Sequence, residues 1–177
     1  MIDRLNLPTA IGATDESVLV RRATLGDLQA IMRLLLEDSI GAGRRDVAND
    51  DDRPAYAAAL DRVIHDPANE LVVAVNHAGA VVGTLQLTVI PGMARRGSAR
   101  LLIEAVRVAS SERSSGIGTT LMRWVVELAA IELETPLVQL TSHSVRKDAH
   151  RFYRRLGFVD SHVGFKFHVT LPGPATR

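Results

Sequence analysis

Cysteine is absent from the sequence. That excludes disulfides, a thiolate nucleophile and any Cys-ligated zinc or iron–sulfur site. Excess charge is also lacking: 21 Lys and Arg against 20 Asp and Glu leave a net charge of +1. Proteins that grip nucleic acid or an anionic membrane surface ordinarily carry a clear basic surplus, so neither partner is expected. No apolar run approaches the roughly 18 residues a spanning helix needs. Residues Met1 to Asp15 lack the apolar stretch of a secretory signal. A cytoplasmic location is the default expectation. The six histidines show neither H-x-x-x-H nor H-E-x-x-H spacing, so no metal is expected. Ser142-His143-Ser144 lacks the G-x-S-x-G context of a hydrolase nucleophile.

What is present is ordinary globular material: 46% apolar and 23% charged residues over 177 positions. Such a chain suits one domain, burying about 70% of the surface its unfolded form exposes. Residues 1–16 show no period and read as an N-terminal extension, 17–171 as the domain and 172–177 as a tail. Ser17–Ala23 is strand-like. Thr24 and Asp27 then resemble an N-cap pair, ahead of a helix from about Leu25 to Glu37. A polar loop holding Asp50, Asp51 and Asp52 leads to a second helix, about Arg53 to His65. Glu70–Asn76 and Ala80–Ile90 pair across a turn, and Ala99–Ser110 is a further strand. The clearest helix begins at Gly116, with Ile117, Leu121, Trp124, Val125, Leu128 and Ile131 in one stripe. A short strand at Leu137–Thr141, a helix over Asp148–Leu156 and alternating strand character over Phe158–Leu171 follow. The order is that of a mixed α/β or α+β domain.

The most informative stretch is Arg113-Ser114-Ser115-Gly116-Ile117-Gly118, where a strand gives way to a helix. Amides at a helix N-terminus are unpaired and favour an anion. Gly116 and Gly118 permit close backbone approach to a phosphate, Ser114, Ser115 and Thr119 offer hydroxyls, and Arg113 offers positive charge. A glycine-rich turn with no ligand fits the same residues. A nucleotide P-loop does not, since no Lys follows Gly118, and neither does G-x-G-x-x-G, which fails at Leu121.

Arg113, Gly116 and Gly118 do match [QR]-x-x-G-x-[GA], the acetyl-coenzyme A signature of the GNAT N-acetyltransferase superfamily. A later stretch, Ala149-His150-Arg151-Phe152-Tyr153-Arg154-Arg155-Leu156-Gly157-Phe158, resembles that family's A-x-x-F-Y-x-x-x-G-F. One helix and one strand separate the two, as in the family, and the resemblance spans roughly Val18 to Thr170. It implies a single domain with a twisted, mostly antiparallel sheet of six or seven strands and about four flanking helices. The fourth and fifth strands would be parallel and splayed, with acetyl-coenzyme A between them as cosubstrate.

The resemblance implies acetyl transfer to a primary amine by direct attack. The acceptor, whether small molecule or peptide, is not legible, and a monomer and a homodimer are both open. Tyr153 matches the family tyrosine that protonates the leaving thiolate; the plain reading is a core aromatic beside Phe152. Glu104, acidic in an apolar strand, matches the position some members use as general base, and burial would raise its pKa. A solvated side chain, or a pair with Arg100 or Arg107, is the alternative. Val106, Arg107 and Val108 map onto the strand segment whose backbone pairs with the pantetheine arm. Ile117 and Phe152 fall in the implied cofactor wall. Arg146 stands where the family often has Asn, so its cofactor contact would differ. Arg151, Arg154 and Arg155 read chiefly as a solvated basic face, and Asp50–Asp52 as a solvated run or a site for a cationic amine. The reading from another class is a non-catalytic acyl-coenzyme A-binding sensor of the same fold.

Overall fold

Val72, Val73 and Ala74 are consecutive and fully buried. A strand allows this only when both faces of its sheet are covered. These residues lie at the centre of a six-stranded sheet in a computed structural model that describes residues 2–13, 17–37, 50–113 and 115–170. The strands are β1 (Thr9–Ile11), β2 (Val18–Arg22), β3 (Asn69–Val75), β4 (Val81–Ile90), β5 (Arg100–Val108) and β6 (Leu137–Leu140). They stand in sequence order. Every neighbouring pair is antiparallel except β5 and β6, which are parallel. The chain divides into two compact units, residues 1–140 and 141–177.

In the first unit, α1 (Leu28–Leu36) follows a 3-10 turn, Leu25–Asp27. The expected cap pair is present: the Asp27 carboxylate accepts from the Thr24 N–H at 2.8 Å and its hydroxyl at 3.0 Å. Helix α2 (Arg53–His65) opens on Arg53-Pro54, where proline is tolerated because first-turn amides have no helical partner. Helix α3 (Ile117–Trp124) runs on through a π turn, Val125–Ala129, to Glu132. Gly83 on β4 faces Leu121 of α3; a Cβ there would lie 3.2 Å from the Leu121 side chain, so the glycine sets how closely helix and strand approach. The core gathers Val20, Val72, Leu85, Leu87, Leu101, Leu121, Met122 and Val125. No helix among the described residues is long and apolar enough to cross a membrane.

Three sequence expectations are corrected. Within the stretch read as an extension, Thr9–Ile11 forms β1 and pairs with β2, and Ile2, Leu5 and Ile11 are buried. Short apolar anchors spaced irregularly leave no periodic signal. Next, Leu128 and Ile131 leave the core (51% and 70% exposed), and Ala129, Ala130 and Leu133 are buried in their place. The π turn inserts a residue and rotates the helix, so the stripe resumes one position late. Finally, Phe158–Thr170 forms no strand, and Val163, Phe165, Phe167 and Val169 are exposed. Alternation specifies which residues share a face but not which edge they pair with. The polar loop before α2 falls largely at 38–49, and Leu171 and the tail at 171–177; both lie outside the described residues.

In the second unit, α4 (Lys147–Arg155) ends at Gly157, whose φ of 90° suits a residue without Cβ. The Phe158 N–H reaches the Tyr153 carbonyl at 3.1 Å and the Gly157 N–H the Arg154 carbonyl at 3.0 Å, the paired bonds of a Schellman cap.

Candidate active site

The sheet opens where β5 outruns β6. Their ladder runs from Arg100–Leu137 to Ile103–Leu140 and stops. Glu104 to Val108 continue along β4 alone, so the β6-facing backbone of that segment meets no strand among the described residues. A bulge falls at the same place. Thr84 faces Arg107 and Gln86 faces Glu104, so Leu85 opposes both Ala105 and Val106. Ala105 adopts φ of 50°, a left-handed conformation that alanine takes only at a cost. Bulges bend a strand and re-aim its side chains, and they gather beside functional sites.

From Val108 the chain makes a 3-10 turn, Ser110–Glu112, and enters α3 through Gly116. Gly116 is the N-cap with φ of 88°, and nothing lies within 4 Å of where its Cβ would be. The first helical bond runs from the Thr120 N–H to the Gly116 carbonyl at 3.0 Å. The amides of Ile117, Gly118 and Thr119 precede it and have no partner within the helix. The Ile117 side chain is buried in the core, so only its amide serves the turn. Ser115 is engaged locally, its hydroxyl donating to the Glu112 carbonyl at 2.6 Å. Arg113 is exposed and donates to the carbonyl of Glu37 at 3.1 Å. Ser114 lies outside the described residues.

Strand end, bulge and glycine-led helix start thus belong to one unit. Backbone donors and open strand backbone are what an elongated ligand with an amide-bearing arm and a pyrophosphate needs, and the residues present fit that group.

The family model for the acetyltransferase (GNAT) family matches residues 28–158. The chain belongs to the GNAT acetyltransferase family. A solved structure from Bacillus halodurans C-125, described as a transcriptional regulator, is 40% identical; the match covers 86% of this chain and 99% of that one, with a TM-score of 0.80. Glucosamine-6-phosphate N-acetyltransferase from Arabidopsis thaliana shares the fold at 14% identity and TM-score 0.67, covering 85% and 97%. The aminoglycoside 6′-N-acetyltransferase AAC(6′)-Ih from Acinetobacter baumannii does so at 15% identity and TM-score 0.68, covering 88% and 99%. No curated protein sequence matches the chain significantly. The parallel pair expected as the fourth and fifth strands is present as β5 and β6, the N-terminal β1 adding one to the count.

Glu104 is exposed, as in the alternative of a solvated side chain. The ladder of β5 with β6 ends one residue earlier, at Ile103. Val106, Arg107 and Val108 are half-buried, with an Arg107 guanidinium N–H donating to the Val106 carbonyl at 2.8 Å. Tyr153 and Phe152 lie on α4 in the second unit, both half-buried. Tyr153 meets Phe152 and Phe158 edge-on, at ring-centre distances of 5.2 and 5.8 Å. Arg146 stands at the α4 N-cap, its N–H donating to the His143 carbonyl at 2.9 Å. Of the basic face, Arg151 pairs with Asp148, and Arg154 with Asp160 at 2.5 Å. No cluster of His, Asp and Glu among the described residues is arranged to hold a metal. Two site features had no sequence signal: the left-handed Ala105, and Glu37, which reaches the loop from α1.

Proposed function

We propose that this GNAT protein transfers an acetyl group from acetyl-coenzyme A to a primary amine by direct attack. The observation that carries this reading is the open backbone of Glu104–Val108 leading into the glycine-capped start of α3. The pyrophosphate sits on the turn from Arg113 to Thr119, Ser114 included, held by the amides of Ile117, Gly118 and Thr119 that open α3. The backbone of Val106 to Val108 receives the pantetheine arm as a strand would, and an amide there supports the thioester oxygen. Acetyl-coenzyme A supplies an activated acetyl group as its thioester. Arg146 and Phe152, on α4, are further cofactor-binding residues in this reading. Tyr153 holds the proton destined for the leaving sulfur. A phenol with a reference pKa of about 10 keeps that proton at neutral pH and can deliver it to a thiolate of similar basicity. Glu104 collects the proton the amine loses, directly or through water, which its exposure permits.

Thiol release from acetyl-coenzyme A across a panel of polyamines, aminoglycosides, amino acids and peptides tests the reading. Tyr153→Phe keeps the ring contacts and is expected to lower kcat by about 10²–10⁴ with coenzyme A affinity nearly unchanged. A wild-type kcat in that variant would make the phenol a packing residue only. The binding-module reading takes its support from the 40% identical relative described as a transcriptional regulator. Coenzyme A binding without thiol release for any amine would favour it.

A further inference from the structure

The turn that leads into α3 is held from a distant element. Glu37 follows the last residue of α1, and its N–H donates to the Arg33 carbonyl at 3.2 Å, closing that helix. Its carboxylate accepts the Ser110 amide at 2.5 Å, and its main-chain carbonyl accepts the Arg113 guanidinium at 3.1 Å. One residue therefore grips both ends of the turn from 110 to 113. The grip passes onward: the Glu112 carbonyl receives the Ser115 N–H at 3.3 Å as well as its hydroxyl, and Gly116 follows in the left-handed conformation.

We propose that Glu37 is a positioning residue for the anion-binding turn, fixing the 110–116 backbone before any ligand arrives. This rests on the reading above that the turn seats the coenzyme A pyrophosphate. Preorganised amides hold an anion more tightly because little ordering remains to be done on binding. Arg113, tied to the Glu37 carbonyl, serves as a brace whose charge acts on the phosphates at a distance, while the amides make the contact. Glu37 carries a negative charge beside an anion seat, so simple electrostatics and positioning predict opposite signs. If charge dominates, removing the carboxylate tightens coenzyme A binding. If geometry dominates, removing it weakens binding, and glutamine, which keeps an acceptor oxygen for the Ser110 amide, restores it.

The experiment measures coenzyme A affinity by calorimetry, and amide hydrogen exchange over 109–116 in the free protein, for wild type, Glu37→Gln, Glu37→Ala and Ser110→Pro. Ser110→Pro deletes the donor from the other side; Ala109, with ψ of 141°, already has the extended backbone that precedes proline comfortably. Expected are roughly fivefold weaker binding for Glu37→Ala and for Ser110→Pro, as loss of one hydrogen bond gives. Glu37→Gln should bind as tightly as wild type or more so. The Glu37→Ala/Ser110→Pro double variant should be no weaker than either single, and exchange over 109–116 should be faster in all but wild type and glutamine. Unchanged or tighter binding in Glu37→Ala would overturn the proposal, and so would unchanged exchange. If Glu37→Ala does not fold, Ser110→Pro decides by the same criteria. Absence of coenzyme A binding in wild type would overturn the acetyltransferase reading instead, while the exchange comparison still judges Glu37.

Discussion

Four hydrogen bonds converge on the Asp27 carboxylate. It accepts the Thr24 amide and hydroxyl at the head of α1, and the two terminal guanidinium nitrogens of Arg21 at 2.8 Å. The Arg21 bond is the main cause of its pKa falling from 3.8 to about 2, with the Thr24 bonds adding and partial burial opposing. Because the folded pKa is depressed, the stabilisation is fully present above about pH 4 and is lost as pH falls through 2. It amounts to about 2 kcal/mol. Asp27→Asn should lower stability by about 1–2 kcal/mol at pH 7, and the gap from wild type should narrow below about pH 4 and close only as pH falls through about 2 in acid denaturation. The motif Thr24-x-x-Asp27 was legible because capping is local. Arg21 as its partner was not, since nothing in a strand residue names the helix start it will meet.

The same divide between local and distant holds for whole elements. The bounds of α2, β3, β4 and β5 follow from periodicity and turn residues to within a residue or two, because each is a local pattern. The π turn in the long helix is not local: the side chains that pack on it decide which face turns inward. The sequence stripe includes Leu128 and omits Ala129, whereas in the structure Leu128 is exposed and Ala129 is buried. Leu128→Gln should therefore shift stability by about 0.5 kcal/mol at most, whereas Ala129→Leu should cost about 1–3 kcal/mol through overpacking. Urea midpoints of the two variants give the comparison, and the reverse ranking would mean a regular helix in solution. Within the candidate site, the glycine-led turn was readable from Arg113, Gly116 and Gly118. The strand bulge beside it was not, because Ala105 carries no trace of its left-handed backbone.

For the molecule as a whole, charge and exposed apolar surface act together. A net charge of +1 gives copies of the chain little mutual repulsion. Phe165 and Phe167, 93% and 90% exposed, add apolar surface in the second unit. Phe165→Ser with Phe167→Ser should leave the thermal midpoint within about 1 °C, because exposed residues contribute little to stability. Solubility at neutral pH and low salt should rise, as light scattering against concentration would register. A drop of several degrees would show instead that these rings are covered in solution.

The gap beside β5 is made of main chain: an unpaired stretch of strand, a bulge and the first turn of a helix. Main-chain donors and acceptors are the same for nearly every residue type. Genetic drift can therefore replace most side chains around such a gap without erasing it, sparing only positions where the backbone conformation itself selects a residue, as at Gly116. Proteins only 14% identical to this chain retain its fold. A gap of this make can keep its form while the side chains around it vary.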